Sequence, residues 1–227
     1  MRSAPNTTRR RCPPRSPEPA VTQLRYLALG DSYTIGEAVA ESGRWPVQLA
    51  AGLSERGIAV AAPRIIATTG WTTDELALAL DLAEPLGQWD FVSLLIGVNN
   101  QYRGRGATQY AGEFRELLER AIGYAHGRSD RVLVLSIPDW GATPFGATDK
   151  RGPATIGAEL DVFNITASEI CARHGVAFVD ITPVSRERGS EPAMVAEDGL
   201  HPSAAMYAQW TALALPVAME LLRDPSA

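Results

Sequence analysis

The amino-acid sequence predicts an α/β fold built on a parallel sheet. Three observations predict it. Short apolar runs alternate with segments of helical period in the order βαβαβαβαβα, and such alternation places helices between parallel strands. One run, Phe91 to Ile96, is apolar at almost every position, as expected of a central strand covered on both faces. The chain has 227 residues, 45% hydrophobic and 21% charged, enough to bury one sizeable core.

The first strand is expected over Leu24 to Leu29, stopped by Gly30. A polar turn follows, then a helix from about Arg44 to Arg56, with Pro46 in its first turn and Gly57 at its end. Ile58 to Ala67 reads as a β-rich run broken by Pro63, its firmer part being Arg64–Ala67. Thr72-Thr73-Asp74-Glu75 has the capping-box pattern, in which a hydroxyl and a carboxylate three residues on satisfy the first free N–H groups of a helix. That helix is expected to end near Leu82–Pro85. After Phe91–Ile96, apolar residues at helical spacing run from Thr108 to Tyr124. Arg131 to Ile137 is a fourth strand, stopped by Pro138, and Pro138 to Pro153 a long loop. Ala154 to His174 is a long helix closing at Gly175, Val176–Val179 a fifth strand, and Ser203 to Leu222 a last helix with Pro216 as an expected kink.

Charge and composition exclude several functions. Residues 1–22 mix Arg, Pro, Ser and Thr with almost no apolar residues, so they cannot bury enough surface to offset the entropy of ordering. They read as a disordered basic tail of charge +4, and 23–227 as the folded domain. With −5 for the whole chain, the domain carries −9 and Lys150 is its only lysine, which argues against a nucleic-acid surface. No apolar run reaches the length of a membrane span or of an export signal behind the arginines, so neither membrane insertion nor export is expected and the cytoplasm is the expected compartment. Cys12 lies in the tail and Cys171 in a helical pattern, so no disulfide is expected. Three scattered histidines and two scattered cysteines form no ligand cluster, so no metal or other cofactor is expected. Nothing specifies an oligomeric state.

The candidate chemistry begins at Gly30-Asp31-Ser32. Ser32 stands where a strand turns toward a helix, and α/β proteins bind ligands beyond the carboxyl ends of their strands. His126 and His174 each precede a glycine at a helix end, where a cation suits the last carbonyls. His201, in Asp198-Gly199-Leu200-His201-Pro202, has no such explanation beyond flanking a helix. A carboxylate three residues before it, across a glycine turn, can hold the imidazole in one tautomer. Gly97-Val98-Asn99-Asn100 follows the central strand. Its plain reading is a loop start, and its chemical one an Asn99 amide aimed at a developing oxyanion. Gly70, in Thr68-Thr69-Gly70-Trp71, is weak alone but carries a backbone N–H that could serve as a second donor.

In this order the four pieces resemble the SGNH (GDSL-type) hydrolase family over roughly residues 24–210. Gly30-Asp31-Ser32 resembles its nucleophile block, Gly70 its glycine block, Gly97-Val98-Asn99-Asn100 its Gly-x-Asn-Asp block, and Asp198 to Pro202 its Asp-x-x-His block. Asn100 departs from the family's Asp. The chain also lacks a Gly-x-Ser-x-Gly elbow, against an ordinary α/β-hydrolase. The resemblance implies a three-layer α/β/α sandwich with a flavodoxin-like, five-stranded parallel sheet in the order 2-1-3-4-5, which would bring Ser32 and Asn99 together at the switch point. It further implies a triad of Ser32, Asp198 and His201, and an oxyanion hole of Ser32, Gly70 and Asn99.

The implied reaction is hydrolysis of small carboxylic esters, O-acetyl groups on carbohydrate included. Longer-chain lysophospholipase or thioesterase action is the alternative within the family. A non-catalytic module holding phosphate or nucleotide at the Gly-Asp-Ser turn is the alternative outside it. Tyr33, Trp71, Tyr102, Trp140 and Phe145 lie on loops expected at the sheet's carboxyl edge. Each is accounted for by loop packing, yet the first four are candidates to line a small-molecule ester site, and Phe145 could join them. Arg103 and Arg105 could meet an anion, though solvated loop charges are the plainer account.

Overall fold

The computed structural model describes residues 23–223, so the expected tail, with Cys12, lies outside the described residues. Five strands form one parallel sheet: β1 (Tyr26–Gly30), β2 (Arg64–Ala67), β3 (Phe91–Leu95), β4 (Val132–Leu135) and β5 (Ala177–Val179). Their order is β2-β1-β3-β4-β5. All residues of β1, β3 and β4 are buried, whereas β2 and β5, at the sheet's two edges, are partly exposed. This burial explains the almost wholly apolar run of the central strand. The one polar side chain inside β3, Ser93, is satisfied by the hydroxyl of Tyr26 at 2.8 Å.

Eight α-helices join the strands among the described residues: α1 (Ser32–Ile35), α2 (Trp45–Glu55), α3 (Thr73–Ala83), α4 (Val98–Tyr102), α5 (Ala107–Tyr124), α6 (Pro153–His174), α7 (Thr182–Arg188) and α8 (Ala204–Leu222). They make the outer layers of a three-layer α/β/α sandwich, α2 packing on α8 and α5 on both α3 and α6. No described helix is long and apolar enough to cross a membrane.

The expected elements appear with shifted ends. The first strand starts at Tyr26 rather than Leu24, because Leu24 pairs only as an isolated bridge with Val60. The third and fourth strands end at Leu95 and Leu135, short of Ile96 and Ile137. The Ile137 N–H and C=O are instead taken up by Asn164 at 2.8 and 2.9 Å. The capping box of α3 forms, with Glu75 Oε2 accepting from the Thr72 N–H at 2.9 Å. Pro216 lies within an uninterrupted α8. The helices α1, α4 and α7 and the 3₁₀ turns Trp140–Ala142 and Gly146–Thr148 inside the long loop were not expected.

Register positions the site. Gly30, the last residue of β1, pairs with Ala67 at the end of β2 and with Leu95 at the end of β3. Asp31-Ser32, Thr68–Gly70 and Ile96–Asn99 therefore leave the sheet side by side at the topological switch point.

Candidate active site

Ser32 opens α1. Asp31 caps that helix, its Oδ1 accepting the Tyr33 N–H at 3.0 Å, and Gly36 ends it in the left-handed conformation at φ +70°. A four-residue helix bounded in this way turns the chain sharply and leaves Ser32 at a cavity wall. Asp31 points inward and is fully buried, with no partner for Oδ2. Burial pushes its carboxyl up to about 7, against the opposing pull of the Tyr33 N–H.

His201 is set by the turn before it. Gly199 adopts φ +70°, a conformation that costs glycine little. The chain then folds back so that Asp198 Oδ1 accepts the N–H groups of Leu200 and His201, each at 2.9 Å. Asp198 Oδ2 meets His201 Nδ1 at 2.6 Å. Partial burial alone would raise the Asp198 carboxyl, but the imidazole and the two backbone N–H groups outweigh it and hold it below its ordinary value. With Nδ1–H donating to Asp198, the neutral ring presents Nε2 as an acceptor. The edge of Tyr33 supports the ring, the centroids lying 5.9 Å apart. His126 and His174 lie elsewhere: His174 Nδ1 bonds the Ile170 carbonyl at 2.9 Å, as expected of a helix-end histidine.

Ser32, Gly70, Asn99 and His201 line one cavity of about 190 Å³. Among the hydrogen bonds of the described residues, none takes up the N–H of Ser32 or of Gly70. Asn99 Nδ2 donates to the Trp71 carbonyl at 2.9 Å, which fixes the amide and leaves its second hydrogen. Nor does a hydrogen bond join Ser32 Oγ to His201; such contacts commonly tighten only in a substrate complex. The arrangement supplies a hydroxyl, an acceptor imidazole backed by a carboxylate, and three N–H donors around one space.

The aromatic candidates separate. Tyr102 and Trp140 line the cavity, as does Phe145. Tyr102 and Phe145 are exposed, at 48% and 38%, while Trp140 is buried between them. Trp140 Nε1 donates to Gln101 Oε1 at 2.8 Å, and Asp139 beside it accepts from Arg186 Nε at 2.8 Å, so this wall is anchored from two sides. Two candidates are placed differently from these. Trp71 is not among the cavity-lining residues: its ring packs against the core and only its carbonyl reaches Asn99. Tyr33 lines the cavity while 3% exposed, wedged between His201 and Trp210. Thr69, Val98 and Leu200 also line the cavity. Sequence reasoning missed them, although each adjoins a residue it singled out.

Arg103 and Arg105 are not free anion sites. Arg103 pairs with Glu75 at 3.2 Å and Arg105 with Asp74 at 2.5 Å. Asn100, the departure from the family pattern, is buried: its Oδ1 accepts the Thr73 N–H at 3.1 Å and its Nδ2 donates to Thr73 Oγ1 at 2.6 Å. Cys171 is buried in α6, which pushes its thiol up to about 12. Among the described residues no three His, Cys, Asp or Glu side chains come together as a metal site.

The model of the GDSL-like lipase/acylhydrolase family matches residues 28–209, and the chain belongs to that family. Solved structures with the same fold include TesA, at 18% identity and a TM-score of 0.67, covering 87% of this chain and 99% of that one. The lipase/acylhydrolase from Enterococcus faecalis is 24% identical with a TM-score of 0.65, covering 90% of this chain and all of its own. A variant of Axe2, an acetyl-xylooligosaccharide esterase from Geobacillus stearothermophilus, is 18% identical with a TM-score of 0.67, covering 88% of this chain and 97% of that one. A search of the curated proteins found no match.

Proposed function

We propose that this protein hydrolyses carboxylic esters of small acyl groups through a serine-bound acyl intermediate. The observation that carries the reading is the 2.6 Å contact between Asp198 and His201 at a cavity shared with Ser32, Gly70 and Asn99. In this reading the Ser32 hydroxyl proton passes to His201 Nε2 as Oγ bonds to the ester carbonyl carbon. The N–H groups of Ser32 and Gly70 and the Asn99 amide hold the oxyanion. The carbon–alkoxy bond then breaks, His201 returns the proton to the leaving oxygen, and water repeats the path to release the acid. Asp198 orients the imidazole and stabilises its cationic form without taking up the proton.

A cavity of about 190 Å³ favours short acyl groups over long chains. The exposed rings of Tyr102 and Phe145 at its mouth suit the alcohol half of the ester, an O-acetylated sugar being one such substrate.

The test is hydrolysis of a chain-length series of nitrophenyl esters, with acetylated sugars, lysophospholipids and acyl thioesters alongside. Acetate-sized esters are expected to be best, and Ser32→Ala to lower turnover by about 10⁶ in a folded sample. Activity surviving in Ser32→Ala would refute the mechanism. An optimum at long acyl chains would transfer the function to lysophospholipase or thioesterase chemistry. Phosphate or nucleotide binding, with no labelling of Ser32 by a fluorophosphonate, would point to the non-catalytic module.

A further inference from the structure

We propose that Arg103 is a positioning residue for the oxyanion donors, holding the Gly70 loop against α4; this rests on the function proposed above. The loop Thr68–Thr72 between β2 and α3 carries the Gly70 N–H, and Gly70 itself sits at φ +88°. A glycine there has no side chain to anchor it, so the direction of its N–H depends on what holds the neighbouring peptides. Two successive carbonyls are held by side chains from α4 and its C-cap. Arg103 Nη2 donates to the Gly70 oxygen at 2.7 Å, and Asn99 Nδ2 donates to the Trp71 oxygen at 2.9 Å. The Arg103 N–H in turn bonds the Asn99 carbonyl at 3.0 Å, so the residue gripping Gly70 is tied directly to the other proposed donor.

The second arm of the guanidinium reaches across the loop. Arg103 Nη1 donates to Glu75 Oε1 at 3.2 Å, while Glu75 Oε2 caps α3 at the Thr72 N–H. One planar fork thus spans the loop from Gly70 to the first turn of α3. Such a charge-assisted, two-armed grip has a geometric specificity that a lysine's point charge lacks. Arg103 is not among the residues lining the cavity, so it acts through Gly70 and not on substrate.

The experiment compares the full chain with Arg103→Met and Arg103→Lys on nitrophenyl acetate, Ser32→Ala serving as the blank. Arg103→Met is expected to lower kcat about 10- to 100-fold, the scale of a misplaced donor, with KM within twofold and the pH profile unchanged in shape. Arg103→Lys should recover part of the loss. Combined with Asn99→Ala, Arg103→Met should cost less than the product of the two single losses, because both grip one loop. A Met variant with kcat within twofold of wild type overturns the proposal, as does a loss expressed in KM alone or a Lys variant no better than Met. Wild type without Ser32-dependent activity overturns the underlying function instead. Should Arg103→Met prove unfolded by circular dichroism, Arg103→Gln, which keeps a neutral donor, is read against the same limits.

Discussion

Asp31 stands beside the proposed nucleophile and is the one acid among the described residues with no exposure. Its folded value of about 7 lies above the ordinary 3.8. Between those values the native carboxyl keeps its proton while the unfolded one is ionised, so the native state binds more protons. The contribution of Asp31 to the free energy of unfolding then falls as pH rises through this window, by about 1.4 kcal/mol per unit. Asp31→Asn keeps the shape and removes the titration. Urea unfolding from pH 4 to 7 should show wild type losing stability relative to the variant, and parallel curves would exclude a neutral Asp31. Asn100 has a related logic. Thr73 Oγ1 donates to Glu113 Oε2, and Asn100 Nδ2 lies 3.3 Å from the same oxygen. The family's aspartate here would face Glu113 across one hydroxyl, two like charges in a buried place. The amide donates where a second carboxylate could not.

At the scale of elements, the corner from β1 into α1 leaves no room for a side chain at Gly30. A Cβ there would stand 2.4 Å from the Leu95 carbonyl and 2.2 Å from Thr34 Oγ1. The carbonyl belongs to the central strand and cannot rotate away. Gly30→Ala is therefore expected to cost about 3 kcal/mol or more in denaturant unfolding. A midpoint equal to wild type would mean that the corner gives way. The elements that sequence reasoning missed share a physical cause. The helices α1, α4 and α7 have four, five and seven residues, at most two turns, too few for a 3.6-residue period to register. The long helices were legible because an apolar stripe repeats many times along them. Even the capping box was legible, since it involves only neighbours in sequence.

At the scale of the molecule, the sheet begins at Tyr26 and the family match at residue 28. Deleting residues 1–22 is accordingly expected to leave the unfolding midpoint and the esterase activity unchanged. Loss of either would mean that the arm packs on the domain or takes part in catalysis. The sheet order is also a property of the whole, because pairing of β1 with both β2 and β3 joins segments far apart in the chain.

The sequence by itself determined the alternation of strands and helices, the acidic domain, and the motifs proposed here as those of a serine hydrolase, with their spacing. These follow from local periodicity and from chemistry carried by short motifs. Tertiary structure alone decided that Tyr33 meets His201 edge-on, that Tyr102 and Phe145 line the cavity while Trp71 does not, and that Arg103 grips the Gly70 loop. Where a loop side chain points depends on long-range contacts that no spacing encodes.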